Sequence, residues 1–182
     1  MSPSELDAFR RGDHALYRRL VQCHSPRLLA VALAYTRDAS EAHDTVQEVW
    51  VRAYQNRAQL ESAGSFGGWL LSISRNVCHS RKRRAEVRAR DAVGVPGAAL
   101  GGTPATDTGA ERSELKSAVA DAIAQLPARQ RDTVVLRILE ARTTRETAEI
   151  MDCAEGTVKA SLHQALQNLN PILRSWRDVV VS

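Results

Sequence analysis

A chain of 182 residues has room for one ordinary domain or two small ones, and 25 Lys and Arg against 21 acids leave it mildly basic, with a formal charge of +4. Aromatic residues make up only 4%, so a core must be built from Leu, Val, Ile and Ala, and the short β-branched runs favour helices. No apolar run approaches the roughly 20 residues that span a bilayer, and MSPSELDAFRRGD lacks the apolar centre of a signal peptide, so a cytoplasmic protein is expected.

The elements follow in order. SELDAFRRG predicts a short first helix, capped by Ser4 with Asp7 three residues on and stopped at Gly12. A second helix is predicted from about Asp13 to Cys23, and a third from Pro26, which suits a helix start, to about Thr36. Ser40 is read as the cap of EAHDTVQEVWVRAYQN, whose Ala42, Val46, Val49, Trp50, Ala53 and Tyr54 recur at spacings of three and four. QLESAGSFGG reads as a loop hinged at Gly64, Gly67 and Gly68. From Phe66 a helix carries Trp69, Leu70, Ile73 and Val77 on one stripe and ends in RKRRAEVRAR. A helix rooted in a core and ending in cations is suited to phosphates, whose neutralisation releases counterions.

Residues 92–111 are rich in Gly, Ala, Pro and Thr and read as a flexible linker, which separates a domain at 1–91 from one at 112–182. Beyond it, Leu115, Val119, Ala122, Ile123 and Leu126 form one apolar stripe, and Pro127 starts the next helix, PARQRDTVVLRILEA. Thr143 and Glu146 have the spacing of a capping box and open a short helix through Met151. A turn over Asp152–Gly156 leads to a last helix, Thr157–Leu169, with Val158, Leu162, Ala165, Leu166 and Leu169 on its seam.

Short capped helix, tight turn, amphipathic helix: this is the pattern of a helix-turn-helix, whose second helix fits a DNA major groove. Glu155, Thr157, Lys159, Ala160, Ser161, His163 and Gln164 would then reach base edges or phosphates. The histidines sit on separate helices without a matching carboxylate or nucleophile pattern, and no GK[ST] glycine loop is present, so an enzyme is not indicated. Cys23, Cys78 and Cys153 are far apart without a CxxC, which favours free thiols over a metal site or disulfide; no cofactor is expected.

The stretch LPARQRDTVVLRILEARTTRETAEIMDCAEGTVKASLHQAL resembles region four of bacterial sigma factors, through LPxRxR, ETAEI and EGTVK together. EAHDTVQEVWVRAYQN with SFGGWLLSISRNVCHSRKRR resembles their region two. The order and the absence of further domains resemble the small extracytoplasmic-function (ECF) group. The resemblance implies an all-α chain of two small helical domains joined by a flexible linker, the C-terminal one a helix-turn-helix.

It also implies roles. Asp44, Gln47, Glu48 and Arg52 would bind the β′ clamp helices of core RNA polymerase, with the β flap a further polymerase contact. Asn56, Arg57, Ser65 and Phe66 would belong to a loop that captures an unstacked base of the promoter −10 element, and Arg75, Asn76, Arg81, Lys82, Arg83 and Arg84 would hold the melted strand and upstream duplex. Trp69, on the apolar stripe, is read as core, and Ser65, Phe66 and Asn76 as contacts. Thr143, Thr144, Glu155, Thr157, Lys159, Ser161, His163 and Gln164 would face the −35 element. Family members often carry two further cations where Ala160, Ser161 and Gln164 stand, which implies weaker or different −35 recognition. Thr144 and Thr147 stand where an aromatic and an aliphatic residue are common. An anti-sigma partner is implied; a small-molecule substrate is not. The alternative is a stand-alone helix-turn-helix regulator with an N-terminal helical sensor domain.

Overall fold

A computed structural model describes residues 1–91 and 119–180, the last nine of these as backbone only. The expected linker over 92–111 and the first turn of the helix predicted near Leu115 lie outside the described residues. All regular structure among the described residues is helical, and it falls into two compact units, one of 1–32 with 38–91 and one of 33–37 with 119–180.

The first unit begins with α1, Pro3–Arg11. Its cap is Ser2, not Ser4: the Ser2 hydroxyl accepts from the Glu5 amide while the Glu5 carboxylate accepts from the Ser2 amide, and Pro3 takes the first helical position. Gly12 closes it in the left-handed region, at φ 82°. Next comes a single helix, α2 (His14–Thr36), where two were expected. Pro26 sits inside it. A mid-helix proline costs about 3 kcal/mol, yet Leu16 and Leu20 before it and Leu28 and Ala32 after it enter the same core, and their burial offsets that cost.

Helix α3 (Ala39–Gln55) is capped by Asp38 rather than Ser40, the carboxylate accepting from the Glu41 amide at 2.7 Å. Its predicted stripe is buried from Ala42 to Ala53, with Thr45 added to it and Tyr54 half-buried at its end. Two short 3-10 turns, Arg57–Gln59 and Ala63–Ser65, follow. Helix α4 runs from Phe66 to Asp91, about 39 Å at 1.5 Å per residue. Gly67 and Gly68 therefore lie in its first turn and are not hinges. Leu70 and Val77 are buried, and Trp69 and Ile73 pack partly buried against the same core.

In the second unit the segment 119–125 (α5) leads to α6, Ala128–Val134, which widens into a π-helical turn over Val135–Leu139. Helix α7 (Thr144–Met151) has the expected capping box, Thr143 with Glu146. Asp152 ends it in the left-handed region at φ 50°, and the Cys153 amide donates back to the Ala148 carbonyl at 3.0 Å. Helix α8 starts earlier than the spacing predicts and runs longer, Glu155–Val180, with Gly156 in its first turn and Pro171 inside it. Ala122, Ile123, Leu126, Val134, Ala165 and Leu169 form the core of this unit.

Candidate nucleic-acid interface

Helices α3 and α4 pack side by side, and their apolar stripes leave two polar surfaces. On α3, Asp44 and Gln47 are exposed. Glu48 is not free in the same way: its side chain is 23% exposed and faces α4. It accepts from Arg52 Nη2 at 2.6 Å and from Arg81 Nη1 at 3.2 Å, with Arg84 Nη1 3.9 Å away. Arg81 also lies 3.7 Å from Asp44. Burial raises the Glu48 pKa, but the hydrogen bonds from Arg81 and Arg52 outweigh it and hold the carboxyl below its ordinary value. The same set thus joins the predicted polymerase face to the root of the basic cluster. Lys82, Arg83 and Arg84 are exposed beyond it, where a phosphate backbone can reach them.

The segment between the two helices is held at several points. Asn56 Nδ2 donates to the Arg52 carbonyl at 2.8 Å, closing α3. Arg57 Nη1 donates to the Tyr54 carbonyl at 2.8 Å, and its guanidinium lies 4.3 Å over the Tyr54 ring. Leu60 drops into the core at 1% exposure. Ser65 Oγ donates to the Ser62 carbonyl at 2.8 Å and leaves the tip exposed. Phe66, expected to meet a base, is 4% exposed and sits edge-on to Phe9, with ring centroids 5.5 Å apart. It opens α4 one turn before Leu70, on the face that continues through Ile73 to Val77, and so points inward. Asn76 is exposed on α4 and Arg75 half-buried beside it.

On the second unit the helix-turn-helix presents Glu155, Lys159, His163 and Gln164 on the exposed face of α8, with Thr157 half-buried. His163 and Gln167 pair side chain to side chain at 3.1 Å, one turn apart. Ser161, predicted on this face, is 6% exposed, while Leu166, predicted on the buried seam, is 46% exposed. The buried seam runs Val158, Ser161, Ala165, Leu169, at steps of three, four and four, so it is rotated from the Leu162–Leu166 line that hydrophobicity suggests. The Thr143 hydroxyl is committed to its cap: it donates to Glu146 Oε2 at 2.7 Å and accepts from the Glu146 amide at 3.1 Å. Thr144 is half-buried one position on.

Two arginines outside the expected sites organise these surfaces. Arg10, on α1, donates from Nε to the Leu60 carbonyl at 2.9 Å and from Nη2 to the Glu61 carbonyl at 3.2 Å. One of two adjacent arginines, Arg10 and Arg11, at the end of a short helix gives no sequence signal of this. Arg131, 3% exposed, donates to the carbonyls of Ile123 (3.2 Å), Leu126 (3.0 Å) and Ala124, closing the C-terminal end of α5. Its place in LPARQR is the available signal.

The described residues form two helical units, one with an acidic helix face beside a cationic helix end and one with a helix-turn-helix. That combination suits a DNA-binding protein, and comparison with known proteins gives the class, a transcription initiation factor. The family model for Sigma-70 region 2 matches residues 20–88, and that for Sigma-70, region 4 matches residues 116–169. The ECF RNA polymerase sigma factor SigL of Mycobacterium tuberculosis is 34% identical over 163 residues, covering 88% of this chain and 90% of that one. The RNA polymerase sigma-H factor of Pseudomonas aeruginosa is 29% identical, with 93% and 94% covered. Among solved structures, the sigma factor RpoE of Bartonella quintana, crystallised with the anti-sigma factor NepR, shares the fold at a TM-score of 0.73 and 24% identity, over 87% of this chain and 96% of that one. The chain belongs to the ECF RNA polymerase sigma factors, which direct transcription initiation.

Proposed function

We propose that this sigma factor binds core RNA polymerase through the exposed face of α3, recognises and melts the −10 region with the 56–65 segment and α4, and reads the −35 element with α8. The observation that carries the reading is the packed α3–α4 pair, which sets the acids Asp44 and Glu48, with the polar Gln47 between them, directly beside the basic cluster from Arg81 to Arg84. A protein surface and a phosphate backbone want opposite charge, and one helix pair offers both. Arg52 contributes to the polymerase face through its bond to Glu48. The β′ clamp helices are the expected seat for this face, and the β flap for the second unit.

Single-stranded DNA needs a cationic groove and groups against which bases pack. Lys82, Arg83 and Arg84, with Arg75 and Asn76 closer to the core, supply the first. The exposed tip at Ser62–Ser65 supplies a place for one unstacked base. The Bartonella quintana sigma factor RpoE is in complex with the anti-sigma factor NepR, and an anti-sigma partner is proposed here too. Few cations stand on the α8 face, so the free chain is expected to bind duplex DNA weakly and to need core polymerase to open a promoter. Run-off transcription with core enzyme and a promoter library tests this: start-site-specific RNA is expected, and its absence from every promoter would overturn the reading.

A further inference from the structure

We propose that Arg10 is a positioning residue for promoter recognition: from α1 it ties down the main chain at Leu60 and Glu61 and so presets the tip, Ser62–Ser65, for an unstacked base. This rests on reading the 56–65 segment as the −10 capture loop.

The loop is fixed from two sides. From below, Leu60 is buried in the core formed by α1, α2, α3 and α4. From α1, the planar Arg10 guanidinium donates to two successive carbonyls, both Nε and Nη2 to Leu60 and Nη2 again to Glu61. Two carbonyls in a row match the fork of a guanidinium and not the point charge of an ammonium. The neighbouring end of α1 is close as well. A Cβ on Gly12 would meet the Tyr54 hydroxyl at 3.0 Å and Arg57 Nε at 3.3 Å, so α1 also touches the segment where it leaves α3. Past Glu61 the tip carries local bonds between Ser62 and Ser65, and Ala63 packs partly buried against the core. A Cβ on Gly64 would meet no atom within 4 Å, which leaves room at the tip for a ligand. Arg10 therefore supplies a long-range hydrogen-bonded tie immediately before that tip. A loop already in its binding conformation loses less ordering entropy when it captures a base, and a tip that is held fixed adapts less to a wrong one, which is what sets selectivity.

The test uses the full chain with core polymerase and fluorescent single-stranded oligonucleotides carrying the selected −10 sequence or one changed base. Arg10→Met should reduce discrimination at the captured position by roughly tenfold, about the size of one lost base contact, while core affinity stays within about twofold. Arg10→Lys, which keeps the charge and reaches one carbonyl, should fall between the two. Amide hydrogen exchange at 61–66 should rise in both. Ser65→Asp at the tip serves as the control for the loop reading itself. If Ser65→Asp abolishes discrimination and neither Arg10 variant changes it, the positioning role is wrong. If no variant, Ser65→Asp included, alters discrimination, the loop reading is wrong. Should Arg10→Met fail to fold, wild-type discrimination in Arg10→Lys overturns the proposal by itself.

Discussion

Glu48 and Arg81 face each other across the α3–α4 pair, Glu48 Oε2 accepting from Arg81 Nη1 at 3.2 Å while Glu48 Oε1 accepts from Arg52 at 2.6 Å. One carboxylate therefore serves two helices. The arrangement changes what a charge reversal at this position means. Placing a lysine there sets it beside Arg52, Arg81 and Arg84, so it breaks the helix pair's own electrostatics as well as any contact with polymerase.

Asp44 is the cleaner probe of the proposed polymerase face, because its side chain is 60% exposed and Arg81 lies 3.7 Å away. Asp44→Lys should weaken core binding by about tenfold or more while changing stability by no more than ~0.5 kcal/mol. Glu48→Lys should weaken core binding and also lower stability by about 1–2 kcal/mol. A core-binding titration beside urea denaturation separates the two effects. Equal stability of the two variants would contradict the bridging role of Glu48, and full core affinity in both would remove the assignment of this face.

The capping box at α7 makes the helix-turn-helix sensitive to acid. Bonds from the Thr143 amide and hydroxyl, then from Arg142, bring the Glu146 carboxyl down from 4.5 to about 2 against a small opposing effect of burial. A lowered pKa means the ionised form stabilises the fold: the contribution is complete above about pH 4.5 and disappears as pH falls toward 2. The side chain is 41% exposed, so solvent screening brings the gain down to that of an ordinary cap, about 1 kcal/mol. Glu146→Gln should cost that much at pH 6, and the gap to wild type should close as pH approaches 2. Denaturation curves of both proteins across this range check it; a gap that stays constant with pH would exclude the carboxylate as its source.

Arg131 carries a larger share of the second unit. Its guanidinium is buried and bonds three carbonyls at the end of α5. Arg131→Met leaves those carbonyls without their donor and should destabilise the unit by about 3 kcal/mol. Arg131→Lys should be nearly as damaging, since one ammonium cannot span carbonyls from residues 123, 124 and 126. Amide exchange resolved by residue should show the loss over 33–37 and 119–169, the second unit, and not over 1–32 or 38–91. A lysine variant as stable as wild type would show that charge alone suffices.

Much of this is legible in the sequence, because helical periodicity reports burial directly. The α3 stripe, the Gly12 stop and the Thr143–Glu146 cap stand where spacing puts them. The departures have physical causes. The local preference of Pro26 is to start a helix, but the core on both sides of it decides that the helix continues. Phe66 follows loop residues and looks like a contact, yet it lies one turn before Leu70 on the buried face of α4 and points inward. Ser161 and Leu166 exchange roles because hydrophobicity alone does not set the phase of α8, and a helix seam turns as a unit. Thr147, which departs from the residue type common in the family, is fully buried with no partner for its hydroxyl. Arg10 and Arg131 act on backbone carbonyls distant in sequence or across a turn, and no side-chain pattern announces a carbonyl.

The last expectation concerns which α8 residues read DNA. Lys159 and Gln164 are exposed on the face that a major groove would meet, and Ser161 is turned into the core. A lysine near the helix start reaches phosphate or guanine, whereas a glutamine can make a paired contact to adenine. Gln164→Ala should therefore shift preference at one −35 position, at a cost of about 1–3 kcal/mol there. Lys159→Ala should weaken all sequences alike and lower the salt slope by about one. Ser161→Ala should leave preference unchanged, because the side chain is buried in the seam. Neutralising Arg81, Lys82, Arg83 and Arg84 together should impair strand opening and spare −35 selection, since these residues belong to the other unit. Selection of −35 variants with each mutant holoenzyme, paired with permanganate footprinting of the melted strand, reads both properties. Loss of −35 selectivity in the basic-cluster variant equal to that in Gln164→Ala would contradict the division of labour between α4 and α8, and a changed −35 preference in Ser161→Ala would contradict the phase of the α8 seam.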